Sequence, residues 1–529
     1  MKKTNVLIIL DGWGIGPHDD TNPIYRAQKP TIDYFQKNYP MMSLQAAGIA
    51  VGLPWGEPGN SEVGHITLGA GRVIYQHYPR ISLAIRNGEF FKNPAINEAF
   101  DYEKKTNGSI HILGLLSNGN VHSSYEHLRA LIKMASLKKP QKLYFHLFTD
   151  GRDSGPQSGR DLTKKFLEDL KKAGVGKLAS LSGRYYALDR TKNWQNTKQI
   201  YDLLTKGRAK IESDIDKIFD LYYGRKLSDS YIEPTLIANP QKPEEFPLVK
   251  DGDSLIFFDF REDSVHQMVA PFVLKDFSEF ERLPFQNLKV TTMTEYDPNF
   301  DVGVAFRPQK IEKTLTAVLN EKGLKQLKIA ETEKYCHLTL FFNGLTDKVF
   351  SNEFRILIPS KETPRFDEAP EMRASEITDR LISALQEKTY DFIAINYANP
   401  DTLAHTGNYQ ATIKAIEIID GQLKQVYGVA KETGATLIIT SDHGNAEKLY
   451  DAATGEPETN HNNNPVPFYL IDEKFKLAKE RNSEEIYALE QTTDGVICDV
   501  APTILELMNI PIPEEMTGKS LIKYLHLEK

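Results

Sequence analysis

The chain has 529 residues, which is enough for two to four domains of ordinary size. Its 72 acidic and 64 basic residues give a formal charge of −8, so nucleic acid is not expected as a partner. No apolar run approaches the roughly 20 residues of a membrane-spanning helix, and the apolar stretch near Met1 is too short for a signal peptide. These features predict a cytoplasmic protein that binds neither nucleic acid nor a membrane.

Short apolar runs alternate with amphipathic stretches through most of the chain. Leu162, Phe166 and Leu170 share one helical face, and Ile416 and Leu423 share another. Strands that alternate with helices indicate parallel sheets covered on both sides, and hence an α/β fold. The runs that predict buried strands are residues 5–10, 109–116, 143–148, 254–258, 392–396 and 435–440.

Three of these predicted strands run into acidic residues. Asp11 follows the first strand, Asp401 lies beyond the fifth with His405 four residues later, and Asp442-His443 lies just after the sixth. Because ligands bind beyond the carboxyl ends of strands in open α/β sheets, these side chains are expected to converge. A lone aspartate after a strand is commonly a turn or capping residue. Several such positions, with imidazoles and without thiolates, indicate a site for Mn²⁺, Zn²⁺ or Fe²⁺.

Ser61, in the segment Gly59-Asn60-Ser61-Glu62-Val63-Gly64-His65, is the candidate nucleophile. A serine hydroxyl attacks efficiently only when a base or a metal lowers its pKa. Gly64 comes three residues after Ser61, which argues against the Gly-x-Ser-x-Gly elbow of α/β hydrolases. Taken alone, Ser61 is also compatible with a helix cap, and His65 is more typical of a packed histidine than of a ligand.

A second group of candidate residues is rich in arginine, and most of its members follow apolar runs. Guanidinium groups match the geometry of phosphate and carboxylate. Any one arginine is compatible with a surface ion pair, but four at strand ends indicate a pocket for a small, multiply negative substrate. The group consists of His122, Arg152, Asp153, Arg184, Arg190 and Arg261.

Five motifs stand in a recognisable order along the chain: Asp11-Gly12-Trp13-Gly14, the segment around Ser61, Asn399-Pro400-Asp401 with His405, Asp442-His443-Gly444-Asn445 and Asp499-Val500-Ala501-Pro502-Thr503. In this order they closely resemble the 2,3-bisphosphoglycerate-independent phosphoglycerate mutases of the alkaline phosphatase superfamily. The resemblance extends over residues 5–520. Residues 53–76 and 515–521 are specific to that family within the superfamily.

The resemblance implies an α/β chain of two domains joined by two hinges. An alkaline-phosphatase-like, parallel-sheet domain would be divided between residues 1–75 and 310–529 and would bind metal. A second α/β domain, residues 80–306, would be inserted between these halves as the phosphotransferase and substrate-binding domain.

The resemblance also implies the cofactors and the site residues. Two divalent ions are expected, with Mn²⁺ as the expected metal and Mg²⁺ as the alternative. One ion would be held by Asp11, Ser61, Asp442 and His443, and the other by Asp401, His405 and His461. The substrate would be bound by His122, Arg152, Asp153, Arg184, Arg190, Arg261 and Lys334.

The reaction implied by the resemblance is the interconversion of 3-phosphoglycerate and 2-phosphoglycerate, in glycolysis or gluconeogenesis, without 2,3-bisphosphoglycerate. Ser61 would attack the phosphorus and become phosphoserine, and Lys334 would neutralise charge on the equatorial oxygens. Asp153 would carry the proton between the two substrate hydroxyls. A monomer would suffice for such a small-molecule reaction.

The chain departs from the family pattern most clearly in Phe260-Arg261-Glu262-Asp263-Ser264, where Ser264 replaces a second arginine. A charge-assisted hydrogen bond is worth roughly 1.5–3 kcal/mol. Its loss predicts a weakened substrate clamp unless a neighbouring lysine or arginine compensates. Further departures, at Asn118, Asn120 and Glu458, leave every implied metal ligand in place.

Two other functions are compatible with these residues. One is a metal-dependent phosphatase or phosphodiesterase of the same superfamily, and the other is a non-catalytic protein that binds a phosphorylated ligand. The inserted arginine-rich segment argues against the hydrolase, because a simple phosphatase has no need to retain its dephosphorylated product. Retention of Ser61 and of the six other implied ligands argues against the non-catalytic protein.

Overall fold

The computed structural model describes residues 3–451 and 453–525, and these residues form two compact units. The first unit is the described part of Met1–Gln76 and Gln309–Lys529, and the second unit is His77–Pro308. Each unit has its own eight-stranded sheet and its own hydrophobic core. The metal-binding role predicted for residues 1–75 and 310–529, and the substrate-binding role predicted for residues 80–306, stay predictions.

Strands form wherever the sequence predicts a buried strand, and each predicted end is within one residue of the observed end. Numbered along the described chain, the strands are β1 (Asn5–Leu10), β2 (Met41–Gln45), β3 (Ile110–Leu116), β4 (Leu143–Thr149), β5 (Lys177–Gly183), β6 (Lys210–Ile211), β7 (Thr235–Leu236), β8 (Ser254–Phe257), β9 (Lys289–Thr294), β10 (Gly303–Phe306), β11 (Gln326–Glu331), β12 (Glu353–Ile358), β13 (Phe392–Tyr397), β14 (Thr436–Thr440), β15 (Val466–Ile471) and β16 (Thr493–Val496).

Helices connect most of these strands, and both helices predicted from apolar faces are present as α7 and α16. The α-helices are α1 (Pro23–Arg26), α2 (Pro30–Asn38), α3 (Ser61–Ala70), α4 (His77–Arg86), α5 (Pro94–Thr106), α6 (Tyr125–Lys138), α7 (Gly159–Ala173), α8 (Arg184–Ala187), α9 (Trp194–Lys206), α10 (Ile215–Tyr223), α11 (Glu262–Val273), α12 (Leu315–Glu321), α13 (Thr332–Cys336), α14 (Ala374–Glu387), α15 (Asn399–His405), α16 (Tyr409–Thr433), α17 (Ser483–Gln491) and α18 (Val500–Leu507).

The sheet of the first unit has the strand order β12-β11-β13-β1-β14-β15-β2-β16. In the central strand β1, Val6 and Ile8 pack into the core that contains residues of α14 and α16. Leu7 and Ile9 pack on the opposite face, in the core that contains residues of α3, α12 and α18. Because both faces are covered, β1 has a continuous apolar sequence, which is typical of parallel sheets. β1 is parallel to both of its neighbours, β13 and β14.

The sheet of the second unit has the strand order β10-β9-β8-β3-β4-β5-β7-β6. Ile110 and Ile112 of β3 pack against residues of α5, α6 and α7. Leu113 and Leu115 of the same strand pack against residues of α9 and α11 on the other face. The α/β fold class is therefore confirmed, with helices on both faces of each sheet.

The expectation of parallel sheets needs one correction in each unit. β15 is antiparallel to β14 and to β2, and β7 is antiparallel to β5. A parallel neighbour needs a crossover connection, whereas an antiparallel strand can return directly. Among the described residues, no helix combines the length and the apolar character needed to cross a bilayer.

Candidate functional site

The carboxyl ends of β1, β13 and β14 bring three aspartates of the first unit together. Asp11 follows β1, Asp401 lies in α15 just beyond β13, and Asp442 lies just beyond β14. The Nζ atom of Lys334 is 2.6 Å from Asp11 Oδ1 and 2.6 Å from Asp401 Oδ2. The amide of Gly12 donates a hydrogen bond to Asp442 Oδ1 at 3.2 Å. Residues about 430 positions apart thus meet at one edge of the sheet, as ligand sites in α/β folds do.

Ser61 is the first residue of α3, and Asn60 rather than Ser61 caps the helix. The side chain of Asn60 accepts a hydrogen bond from the amide of Val63 at 2.9 Å. The Oγ atom of Ser61 is 2.9 Å from His443 Nε2 and accepts a hydrogen bond from Lys334 Nζ at 2.7 Å. The hydroxyl therefore lies at the positive end of a helix dipole, beside a cation, where an anionic group is stabilised.

Two imidazoles of the first unit face each other beside the same aspartate. His405 Nδ1 is 2.8 Å from the carbonyl oxygen of Thr459, and His461 Nδ1 is 2.9 Å from that of Gly59. Because a carbonyl only accepts, both Nδ1 atoms carry a proton, and in the neutral rings both Nε2 atoms present lone pairs. These Nε2 atoms are 3.0 Å apart, and each is 3.3 Å from Asp401 Oδ1. Convergence of three lone-pair donors on one point fits a divalent cation.

A second fit to a cation is found at Asp442, whose Oδ2 atom is buried and accepts no hydrogen bond from the described residues. The Nδ1 atom of His65 is 3.1 Å away, but it is also 2.8 Å from the carbonyl oxygen of Ser61. The Nε2 atom of His65 lies 3.0 Å from the side-chain nitrogen of Asn396, which also donates to Asp11. With both nitrogens engaged, His65 is a packed histidine in this structure, and Asn396 links it to Asp11.

The structure does not divide the ligand atoms in the way that the resemblance implies. His443 Nε2 is 3.7 Å from Asp11 Oδ1, 3.6 Å from Asp442 Oδ2 and 4.0 Å from Asp401 Oδ1, so it lies between the two implied sites. The atoms that lie within 4.8 Å of one another belong to two sets: Asp11, His65 and Asp442, and Asp401, His443 and His461.

Lys334 is the cation that the structure places among these carboxylates. Burial alone would lower the pKa of Lys334, but Asp11 and Asp401 raise it well above its ordinary value. Burial, together with the neighbouring Asp442, raises the pKa of Asp11. The cluster is thus rich in negative charge and has one ammonium group to balance it. A cavity of about 630 Å³ lies beside Lys334, Asp401 and His405.

In the second unit, Arg184 is the centre of a buried polar cluster. Its Nη1 atom donates to Asp150 Oδ1 at 2.6 Å and to Asp153 Oδ2 at 2.7 Å, and its Nη2 atom donates to His122 Nε2 at 2.8 Å. Although burial alone would raise the pKa of Asp150, hydrogen bonds from Ser117 and Arg184 hold it below its ordinary value. The structure thus brings together three of the predicted substrate residues.

The remaining predicted substrate residues are more open to solvent. Arg190 Nη1 donates to Asp263 Oδ2 at 2.5 Å, and Arg261 Nε donates to Asp263 Oδ1 at 2.9 Å. Arg152 is exposed, and its side chain forms no hydrogen bond or ion pair with the described residues. Ser264 is buried, and its Oγ atom faces the His122 ring rather than solvent.

Comparisons with known proteins identify the family of the chain. A family model described as the Metalloenzyme superfamily matches residues 3–512. A 2,3-bisphosphoglycerate-independent phosphoglycerate mutase of Methanosarcina barkeri is 43% identical over 98% of both chains. One from Clostridium botulinum is 41% identical over 99% of this chain and all of its own length. The chain belongs to the 2,3-bisphosphoglycerate-independent phosphoglycerate mutase family. The resemblance stated from the motifs is therefore confirmed.

A solved structure supports the same fold for this family member. The phosphoglycerate mutase of Leishmania mexicana, crystallised at low cobalt concentration, is 27% identical, with a TM-score of 0.53. The match covers 98% of this chain and 97% of that chain. Membership of the Metalloenzyme superfamily agrees with the lone-pair donors that converge in the first unit, so divalent metal binding is supported by two independent observations.

Glu447 is a residue of the mutase site that sequence reasoning missed. Its Oε2 atom accepts hydrogen bonds from the amides of Gly14 and Asn445, each at 2.9 Å, and its Oε1 atom accepts one from the side chain of Asn464 at 2.9 Å. A Cβ atom on Gly14 would lie 2.2 Å from the carboxyl carbon of Glu447. Glu447 therefore ties the loops after β1 and β14 to the segment that carries His461.

Proposed function

We propose that this chain interconverts 3-phosphoglycerate and 2-phosphoglycerate without 2,3-bisphosphoglycerate, as an isomerase that transfers a phosphoryl group within one substrate. The observation that carries the proposal is the placement of Ser61 Oγ, 2.7 Å from Lys334 Nζ and 2.9 Å from His443 Nε2 at the start of α3. Lys334 and the start of α3 provide positive charge for an alkoxide and for a phosphoryl group that arrives there. Bound divalent ions would offset the nearby aspartates, of which Asp11 Oδ1 lies 3.2 Å from Ser61 Oγ. The names of the relatives describe the same activity for those proteins.

Two divalent ions are part of the proposal, with Mn²⁺ as the metal and Mg²⁺ as the alternative. When bound, they would supply the positive charge that lowers the pKa of the Ser61 hydroxyl and stabilises the transferring phosphoryl group. The ligands proposed for one ion are Asp11, Ser61, Asp442 and His443, and those for the other are Asp401, His405 and His461.

In the proposed reaction, Ser61 Oγ attacks the phosphorus of 3-phosphoglycerate and the bond from phosphorus to O3 breaks. The O2 hydroxyl of the retained glycerate then attacks the phosphoserine, and the bond from phosphorus to Oγ breaks. Lys334 neutralises charge on the equatorial oxygens in both transfers. Ser61 reacts as the alkoxide and is the alkoxide again after the second transfer, so the net proton exchange is between the substrate oxygens. Asp153 gives its proton to O3 in the first transfer and regains one from O2 in the second. The carboxylate of Asp153 is held by Arg184 at 2.7 Å.

The second unit provides the groups that would bind the glycerate and phosphate charges. Arg152, Arg190 and Arg261 present guanidinium groups at its surface, and Arg184 and His122 form the buried side of the cluster. Retention of glycerate is what distinguishes a mutase from a phosphatase, because a phosphatase releases the dephosphorylated alcohol. We propose that this group of residues supplies that retention.

The test combines product analysis with trapping of the covalent species. The purified chain is incubated with Mn²⁺ and 3-phosphoglycerate, and 2-phosphoglycerate and free phosphate are both measured. We expect 2-phosphoglycerate in large excess and ³²P label on Ser61, with neither in Ser61→Ala. Phosphate release without 2-phosphoglycerate would identify a hydrolase. Substrate binding without either product would identify a non-catalytic protein.

We further propose that the enzyme acts as a monomer in the cytoplasm on a small-molecule substrate, with no nucleic acid or membrane partner. Every residue assigned above lies in one chain, so the proposed chemistry needs no group from a second copy. Size-exclusion chromatography with light scattering tests the monomer, and a stable dimer would contradict it.

A further inference from the structure

Ser264 is the position at which the chain lacks a family arginine, and its surroundings define a role for the serine. It lies in the first turn of α11 and is 1% exposed. Its Oγ atom is 3.0 Å from the carbonyl oxygen of Arg261 and 3.0 Å from His122 Nδ1. Because a carbonyl oxygen only accepts, the Ser264 hydroxyl donates to Arg261. Its lone pairs then accept the proton of His122 Nδ1.

The opposite side of the His122 ring leads to the same tautomer. Arg184 Nη2 is 2.8 Å from His122 Nε2, and a guanidinium group only donates. His122 Nε2 therefore accepts, and the proton of the neutral ring is on Nδ1. Burial first, and then the Arg184 charge, lower the pKa of His122 to about 4, so the ring is neutral at physiological pH.

We propose that Ser264 is a positioning residue that favours the Nδ1-protonated tautomer of His122. His122 then accepts from Arg184, and Arg184, oriented in this way, holds Asp153 in its proton-carrying position. The inference rests on the proposed mutase function, in which Asp153 carries the proton. It deepens that function by giving the residue at the position of the missing arginine a role in orienting His122 and Arg184.

A series of hydrogen bonds connects α11 to Asp153, the proposed proton carrier. The Ser264 hydroxyl receives from His122, His122 receives from Arg184, and the other nitrogen of Arg184 donates to Asp153 at 2.7 Å. Without an acceptor at position 264, the buried Nδ1 proton has no partner, which is unfavourable. Arg184 alone would then favour the Nδ1-protonated tautomer, so the share of the Nε2-protonated ring would rise.

A matched set of variants separates the hydroxyl from side-chain volume. Ser264→Thr keeps the hydroxyl, Ser264→Val has the same shape without it, and Ser264→Ala removes it without adding volume. The first readout is ¹⁵N NMR of the full chain labelled at histidine, with the His122 signals assigned by their loss in His122→Asn. We expect a protonated Nδ1 and an unprotonated Nε2 in the parent and in Ser264→Thr, and a measurable share of the Nε2-protonated ring in Ser264→Ala and Ser264→Val.

The second readout is the steady-state kinetics of the same proteins with Mn²⁺ and 3-phosphoglycerate. Loss of one buried hydrogen bond predicts a fall in kcat of about fivefold to tenfold in Ser264→Ala and Ser264→Val, with a smaller change in KM because the open arginines are unaltered. Ser264→Thr should stay within about threefold of the parent. Thermal unfolding of each variant identifies a folding defect. If Ser264→Thr and Ser264→Val do not fold, the comparison of Ser264→Ala with the parent tests the role of the hydroxyl.

The two readouts separate this inference from the proposed function. A protonated Nε2 on His122 in the parent, or an unchanged pattern and unchanged kcat in Ser264→Ala, would overturn the role of Ser264 while leaving mutase activity intact. Absence of 2-phosphoglycerate formation in the parent would overturn the proposed function, and with it the mechanistic part of the inference, whatever tautomer His122 has.

Discussion

The two groups of polar residues in this chain differ in their balance of positive and negative charge. In the first unit, three aspartates and three imidazoles lie around the single ammonium group of Lys334. In the second unit, three of the four arginines of the predicted substrate group are already hydrogen-bonded to an aspartate: Arg184 to Asp150 and Asp153, and Arg190 and Arg261 to Asp263. One group lacks positive charge, and the other has nearly balanced charges.

This difference indicates what each group is built to bind. Carboxylates and imidazole nitrogens that face one another are stabilised when a cation lies among them. Arginines that already have carboxylate partners bind an added anion only in competition with those partners, so they contribute geometry and selectivity more than affinity. We therefore expect the first group to depend strongly on metal, and the second to depend on the integrity of its internal ion pairs.

The largest expected effect is that of metal removal, which sharpens the contrast between the groups. Chelation should lower mutase turnover by roughly 10³-fold or more, because the positive charge that stabilises the transition state is lost. Added Mn²⁺ should restore it, with or without 2,3-bisphosphoglycerate. The histidine NMR signal of His122, in the second unit, should not move on chelation. Full turnover of metal-free protein would contradict the assignment of the first group.

The second effect is a loss of stability on breaking the buried arginine cluster. Arg184→Met leaves Asp150 buried without its cation, and removal of one partner of a buried ion pair costs about 3–5 kcal/mol. Arg190→Met breaks an exposed pair with Asp263 and should cost less than about 1 kcal/mol. The fluorescence of Trp194, in a background where the two tryptophans of the first unit are replaced by phenylalanine, reports denaturant unfolding of the second unit.

Equal costs for the two substitutions would contradict the distinction between a buried and an open part of the arginine group. In that case the charges of Arg184 and Arg190 would be equally hydrated in solution. A control at Arg152, which has no side-chain partner among the described residues, should leave stability unchanged when it is replaced by methionine.

The third effect concerns the carboxylate that holds the loops of the first group. Glu447→Gln retains one oxygen acceptor where the parent uses both oxygens for three donors. Asn445, one of these donors, also donates from its side chain to Asp401 Oδ1 at 2.7 Å, so Glu447 acts on a proposed ligand through Asn445. Disturbing the groups that orient metal ligands commonly costs 10- to 100-fold in metal affinity, so Mn²⁺ should bind about 10- to 100-fold more weakly, as measured by titration calorimetry. Glu458→Gln, in a nearby surface ion pair with Lys448, is the control and should bind Mn²⁺ like the parent.

Much of this arrangement follows from the sequence because of where apolar runs stop. Continuous apolar runs such as β1 and β13 are typical of strands covered on both faces, and the residue that follows such a run lies at the carboxyl edge of a sheet. For this reason the sequence predicts that Asp11, Asp401 and Asp442 lie at that edge. Their division into two ion sites, and the role of Lys334, came only from the resemblance to a family.

Other features have no local signal. Glu447 acts through Gly14 and Asn464, which are far from it in sequence or lie in a different loop, so spacing cannot reveal it. The strands β6 and β7 have two residues each, which is too short for any periodicity. The role of Ser264 depends on the direction of a side chain toward His122, 142 positions earlier. The sequence predicts only that an arginine is missing there.

The smallest expected effect is a pH dependence that belongs to the second unit. His127 lies in α6, where burial lowers its pKa to about 3, and its Nε2 atom is 3.0 Å from Ser82 Oγ. In the unfolded chain the imidazole has its ordinary pKa of about 6.5, so below that pH the unfolded chain binds a proton that the folded chain does not. The free energy of unfolding should therefore be fully retained above about pH 6.5 and should fall as the pH is lowered, by up to about 1.4 kcal/mol per pH unit from this group.

His127→Asn removes the titrating ring, so the fall between about pH 6.5 and pH 5, measured by Trp194 fluorescence, should be shallower by up to that slope. Ser82→Ala removes the hydrogen bond but leaves the ring buried, and it should lower stability at all pH values without changing the slope. If His127→Asn and the parent lose stability in parallel, the buried imidazole is already protonated or hydrated in the folded second unit, and its polar groups are less well balanced than the contrast with the first unit requires.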